Sequence, residues 1–394
     1  MRSDAVPKQN YYRALTGLRA VAAYTIFWHH LNPLGTRSAG RPALEWANHF
    51  VQQWHVGVPI FFVLSGFLIA HRYAQGFALS WPWAKAYLQN RFARIYPLYL
   101  LITIITLVVQ FSGLSGYNSE ELRAMPLSGK LLGIFLNITL LKGLFSRFIL
   151  ASGVAAAWSL SVEVLFYLSV PVVLLFIRQR VGRLVVYPVV ALGLGVLLVA
   201  ACAHLPFYTY GLFNSLKFML NCTFFGRCAE FACGMALAYH SKRAPQLSSR
   251  GGWLTVGGGL WIILCTIALT QVEWNYLRGA TGLQTYTAIV VNNLILPPGI
   301  ALFILGLLRE QTWLKSLLET KPAEVLGKSS YAFYLLHDGL LRKLSGQFMP
   351  NSVVLFVVVL GLSVLAFYLV EEPLHRYLYV PVRSLKPRLS SIEK

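Results

Sequence analysis

The sequence predicts an all-α protein, a polytopic bundle of about ten transmembrane helices with both termini cytoplasmic. Three observations carry this. Of 394 residues, 56% are hydrophobic and only 12% are charged, and the mean hydropathy is +0.59. A chain of that composition has lipid for much of its solvent. Apolar stretches of spanning length recur from end to end, and Lys and Arg gather in alternate loops.

The spans are read at about 15–32, 54–70, 96–112, 157–177, 184–203, 224–240, 253–270, 284–308, 326–345 and 352–370. With the amino terminus inside, the cytoplasmic segments are the N-tail, 71–95, 178–183, 241–252, 309–325 and the C-tail. They hold roughly 21 of the 34 Lys and Arg residues. The stretch 131–148 reads as an eleventh span or as a re-entrant or interfacial helix. Counting it as a span would put Lys242, Arg243, Arg309 and Lys321 outside, so ten is preferred. The membrane domain is read over 1–376 and a basic cytoplasmic tail over 377–394, too short for a second domain. The polar head runs into the first span without a small-residue cleavage site, so that span is expected to serve as its own insertion signal.

Composition narrows the function. The net charge of +20 suits anionic lipid headgroups and an anionic ligand. No basic stripe interleaves with a soluble fold, which disfavours a nucleic-acid partner. The five cysteines are odd in number and lack a CxxC pair. They read as small buried hydrophobes rather than disulfides or metal ligands. The histidines have no metal-binding spacing, and no nucleotide-hydrolase phosphate loop is present.

The chemistry is read from ionisable residues inside the spans, which are costly and usually functional. The first span, LTGLRAVAAYTIFWHHL, carries Arg19, His29 and His30. Arg19 and His30 are eleven residues apart, which returns to nearly the same helix face about 16 Å further along. One face thus carries a fixed cation toward the cytoplasm and a titratable base toward the outside. The second span, GVPIFFVLSGFLI, holds Ser65 among glycines. Packing explains Gly57 and Gly66, and nothing nearby in sequence activates Ser65 as a nucleophile. Before the third span, Lys85, Arg91 and Arg94 read either as a positive-inside anchor or as a phosphate clamp. The fourth span places Glu163 at roughly the depth of His30. That carboxylate needs a partner, with His30, Arg227 or a wet cavity as candidates. Trp158 beside it reads first as an interfacial anchor. Arg227 and Glu230 stand at i and i+3, so mutual neutralisation is the simplest account of them. His337 and Asp338 lie in the ninth span, where a lone histidine is more often a packing donor than a catalyst.

Together these segments resemble the acyltransferase-3 family of integral membrane acyltransferases. The resemblance rests, in order, on LTGLRAVAAYTIFWHH, GVPIFFVLSGFLI, RFARIYPLY, AWSLSVEVLFYL, GRCAEFACG, LGKSSYAFYLLH and EEP. It covers most of the chain, and its arginine–histidine spacing selects His30 over His29. It implies transfer of an acyl group, usually acetyl from acetyl-CoA, to a hydroxyl of an extracytoplasmic or lipid-linked carbohydrate. It also suggests a bacterial inner membrane. Acyl-CoA is then a co-substrate, with no permanently bound cofactor. Arg91, Arg94 and Arg19 would meet the CoA phosphates. His30 would be the general base, Glu163 would orient it, and Arg227 would stabilise the oxyanion. Trp158 and Ser65 are further candidates on the substrate side. Many peptidoglycan-modifying relatives carry an extra esterase-like domain, so the short tail argues for another carbohydrate as acceptor. The competing reading is a transporter or flippase for a polysaccharide precursor, with the same charges lining its path.

Overall fold

The computed structural model describes residues 12–35, 38–74, 77, 80–112, 124–178, 180–243, 251–274, 283–339 and 351–380. Among these the regular secondary structure is helical, joined by turns and irregular segments, with an isolated bridge between Phe145 and Leu212. The helices used below are α1 (Arg13–His30), α2 (Pro42–Gln52), α3 (Gly57–Tyr73), α4 (Trp81–Ser112) and α5 (Leu127–Ile138). They continue with α6 (Trp158–Ile177), α7 (Val186–Cys202), α8 (Phe224–Arg243), α9 (Trp253–Val272) and α10 (Leu296–Arg309). The last are α11 (Lys321–Lys328), α12 (Ser330–Leu336), α13 (Ser352–Ala366) and α14 (Glu372–Leu378).

Seven helical stretches of the described residues are long and apolar enough to cross a membrane: Pro42–Tyr73, Trp81–Ser112, Ala155–Ile177, Val181–Cys202, Trp253–Val272, Tyr286–Arg309 and Ser352–Leu378. The sequence reading expects about ten. Three of its intervals fall outside this group. α1 carries Arg13 and Arg19, and α8 carries Arg227 and Glu230, so both are less apolar. The interval 326–345 is helical in two pieces up to Leu336 and lies outside the described residues from 340. The tail from 381 onward also lies outside them.

The stretch 131–148 is not one helix. α5 has 12 residues, about 18 Å of rise against a hydrocarbon core of about 30 Å. Beyond it Leu140 takes φ 58° and the chain breaks into short turns. Polar side chains hold this broken segment inside the protein. Tyr99 donates to the Asn137 carbonyl, and Lys142 Nζ donates to the carbonyls of Ser152 and Val154, both at 2.7 Å. Irregular backbone at membrane depth is tolerated where protein satisfies it.

The core is one large cluster in which α3 is central. α8 lies along α3, α1 along α3 and α11, and α9 along α10. The α3–α8 contact is set by two glycines. A Cβ on Gly66 would meet the Phe231 carbonyl oxygen at 2.2 Å, and one on Gly234 the Val63 carbonyl oxygen at 2.0 Å. Small residues let membrane helices approach backbone to backbone. A second, aromatic cluster clamps the far half of α1 to α12 and α13. In it Tyr24 and Phe27 meet Phe333, and Trp28 stacks on Phe356. The outer faces of α7 and α13 expose Val189, Leu197 and Val357 to the surroundings, as lipid-facing helices do.

Candidate active site

A cavity of about 110 Å³ lies inside the bundle. α1 gives it Arg19, α3 gives Ser65, α4 gives Arg91 and Arg94, and α6 gives Glu163 and Tyr167; Tyr331 and Tyr334 come from α12. Five of the residues singled out from sequence therefore line one space. They arrive from four helices and up to 144 positions apart in the chain, from Arg19 to Glu163.

Glu163, Arg91 and Arg94 each have an identifiable holder. Glu163 accepts from Ser65 Oγ at 2.9 Å and from the Tyr167 hydroxyl. The sequence reading offered His30, Arg227 or a wet cavity; Glu163 lines the cavity, and its described hydrogen-bond partners are Ser65 and Tyr167. Tyr167 is four residues after Glu163, so one helix face presents both. Arg91 donates to Tyr73 OH at 3.1 Å and lies over the rings of Tyr73 and Tyr167 at 5.3 and 5.8 Å. Stacked guanidinium groups are weakly hydrated and keep their donors in plane. Arg94 pairs with Glu371 at 2.8 Å. Glu371 ends a π-helical turn, Phe367–Glu371, which turns it inward just before α14. The cavity wall therefore carries three arginines and one carboxylate, Glu163, and Glu371 pairs with Arg94 without lining the cavity, which leaves the site net positive.

His30 is not on the cavity wall. It is linked to the wall through Tyr334, which lines the cavity and whose hydroxyl meets Ser159 Oγ at 2.8 Å. The Tyr334 carbonyl oxygen is 2.6 Å from His337 Nδ1, and His337 Nε2 is 3.1 Å from His30 Nδ1. His30 Nε2 lies 3.9 Å from Asp338 Oδ2. The neighbouring His29 points elsewhere, with Nδ1 2.5 Å from the Gln52 carbonyl oxygen and its ring 5.4 Å from that of His55.

The remaining two candidates lie off the cavity wall. Trp158 opens α6, one residue before Ser159. Arg227 makes a two-pronged ion pair with Glu230 (Nε–Oε2 3.0 Å, Nη2–Oε1 2.9 Å) and donates to Asn293 at 3.2 Å. Both partners are buried, and Arg227 also lies 5.5 Å from the Phe62 ring. Fork-to-fork pairing occupies much of the guanidinium.

The sequence reading did not single out the tyrosines or Glu371, and it read His337 first as a packing donor. A signal for them exists. Tyr331, Tyr334 and His337 fall at three-residue steps and so share a helix face, and Glu371 is a carboxylate in an apolar run. Among the described residues no group of His, Cys, Asp and Glu could hold a metal ion.

A family profile described as an acyltransferase domain matches residues 12–372. The chain belongs to this acyltransferase-3 family. It is similar to the peptidoglycan O-acetyltransferase OatA of Listeria monocytogenes, 24% identical over 392 residues, which is 95% of this chain and 56% of that protein. It is also similar to the O-acetyltransferase OatA of Staphylococcus aureus, 22% identical over 399 residues, 97% of this chain and 59% of that protein. The acyltransferase MdmB of Streptomyces mycarofaciens is 29% identical over 170 residues, 42% of this chain and 40% of that protein. The chain thus spans a little over half the length of the OatA relatives. No solved structure is a significant match.

Proposed function

We propose that this protein is a membrane O-acyltransferase. It moves an acyl group, acetyl in the simplest case, from cytoplasmic acyl-CoA to a hydroxyl of a carbohydrate on the other side. The observation that carries the reading is the arginine cavity of the bundle, whose wall residue Tyr334 contacts His337 and through it His30. Transferases named for peptidoglycan and O-acetyl transfer share nearly the whole length of this chain, which supports transfer over transport. The first of those names keeps peptidoglycan among the candidate acceptors.

The volume sets how the donor would enter. About 110 Å³ falls short of the roughly 300 Å³ of ordinary ligand pockets. The thioester end is the part of the donor assigned to it, with the CoA phosphates at the mouth beside Arg91, Arg94 and Arg19. His30 takes the proton of the acceptor hydroxyl as its oxygen attacks the thioester carbonyl. A C–O bond forms, the C–S bond breaks, and the departing thiolate is protonated, which returns His30 to its neutral form.

The test uses the full chain in nanodiscs with radiolabelled acetyl-CoA, with and without a crude polysaccharide-precursor extract. The reading expects CoA release that depends on the extract and label that moves onto carbohydrate. Thioester left intact by folded protein with a competent extract would overturn it.

A further inference from the structure

His337 is fully buried, at 0% exposure, and both its ring nitrogens face named partners. Nδ1 is 2.6 Å from the Tyr334 carbonyl oxygen, an atom that only accepts. A neutral imidazole there must carry its proton on Nδ1, because a lone pair at that distance would meet another lone pair. His337 Nε2 is then an acceptor, and the hydrogen on the 3.1 Å contact must come from His30 Nδ1. His30 is left with its lone pair on Nε2. That nitrogen faces Asp338 Oδ2 at 3.9 Å, too far for a hydrogen bond in this state and near enough to attract an imidazolium.

We propose that His337 is a positioning residue that fixes His30 as the Nδ1–H tautomer and so presents Nε2 as the base. Tyr334 is the origin of the relay. Its carbonyl orients His337, whose ring orients His30, in the way a third group orients the base of a catalytic triad. The same tyrosine forms the cavity wall, so the donor site and the base are registered to one residue. The aromatic clamp of Phe27, Phe333 and Phe356 holds the two helices that carry the pair. The proposal rests on the general-base reading of His30 and assigns the partner that makes it work.

The experiment compares the full-length protein with His337→Leu, His337→Gln and His30→Ala in nanodiscs, using acetyl-CoA and the precursor extract. The histidines are also labelled with 15N, and the His30 resonances are identified from the His30→Ala difference. A glutamine amide oxygen can accept from His30 Nδ1, and leucine cannot. The expected result is a fall in kcat of about 10²–10⁴-fold for His337→Leu, with KM for acetyl-CoA unchanged. His337→Gln should keep activity within about tenfold of wild type, the order of one neutral hydrogen bond. Wild-type His30 should show a protonated Nδ1 and a bare Nε2, and a tautomer mixture should appear in His337→Leu. Wild-type His30 protonated on Nε2 would overturn the proposal even if neither His337 variant folds. Equal losses in the leucine and glutamine variants would reduce His337 to packing and also overturn it. Full activity of His337→Leu while His30→Ala is inactive would sink this inference alone. Activity of His30→Ala would sink it together with the general-base reading.

Discussion

Three arginines face the cavity, and each is held differently, so each should respond differently to removal. Arg91 is stacked between tyrosines, Arg94 is paired with Glu371, and Arg19 reaches in from α1. A charge-assisted hydrogen bond is worth about 1.5–3 kcal/mol. Arg91→Ala or Arg94→Ala should therefore weaken acyl-CoA binding by roughly 10- to 150-fold, measured by equilibrium titration in detergent, with acceptor preference unchanged. Unchanged affinity would leave these residues as topology anchors. Arg227 is a different case. Removing it strands Glu230 in the core, which costs about 3–5 kcal/mol, whereas replacing both partners with apolar residues is often neutral. Arg227→Met alone should lower thermal stability, and Arg227→Met with Glu230→Leu should recover it. If the double variant is stable and transfers acyl groups, Arg227 is structural. If it is stable and inactive, the oxyanion role stands. At this scale the sequence exposed the costly residues and the local Arg227–Glu230 pair, but not the partners that lie far apart in the chain. Ser65 and Glu163 are 98 positions apart, and only the fold shows that the serine hydroxyl rests on that carboxylate.

Helix ends and helix contacts follow the same economy of buried polar groups. Glu273, just after α9, accepts from the amides of Gln284 and Thr285 ahead of the next helix. Glu310, just after α10, accepts from the amides of Leu254 and Thr255 and from the Thr255 hydroxyl, and so caps α9. α9 and the helical stretch Tyr286–Arg309 that contains α10 are thus tied at both ends by carboxylates at helix N-termini. At Glu310, burial pushes the carboxyl up, but the Thr255 hydroxyl and the two amides outweigh it and hold it below the usual range. A depressed carboxyl stabilises the fold above its unfolded value, about 4.3, and loses that contribution as pH falls through the folded value. Glu310→Gln should destabilise the protein at neutral pH and flatten the acid side of its stability curve, as thermal unfolding between pH 3 and 7 would show. Gly234→Val should separate α3 from α8 and disturb the cavity wall through Ser65, lowering both stability and transfer. The element pattern was legible because apolar length marks a span. Charge weakens that mark in α1 and α8, which form as helices where the sequence reading placed them, and 131–148 stays open between a span and a re-entrant or interfacial helix because buried Lys142 and Asn137 sustain a broken segment that hydropathy cannot distinguish from a span.

Across the molecule, the most exposed aromatics are Trp81, Trp253, Trp313 and Tyr377, at 78%, 81%, 78% and 86%. All four lie at or near helix ends close to the basic segments, where interfacial aromatics are expected. Tyr286, Phe207 and Trp46 are exposed as well. The proposed orientation puts these two groups at opposite faces of a slab, with the arginine mouth near the first and His30 near the second. In the proposed orientation the first face is cytoplasmic. Single cysteines placed at Trp81 and Trp46 in a cysteine-free background should then be labelled by an impermeant reagent from opposite sides of intact spheroplasts. Labelling of both from one side would contradict the slab.

The central claim is that donor and acceptor meet inside this bundle from opposite sides, with His30 as the base. It is tested most directly in proteoliposomes of sorted orientation, with labelled acetyl-CoA supplied only on the arginine side and a carbohydrate acceptor trapped only on the other. The account predicts label on the trapped acceptor with wild type and none with His30→Ala at equal insertion. Label on the acceptor without His30, or transfer only when both substrates share one side, would contradict it.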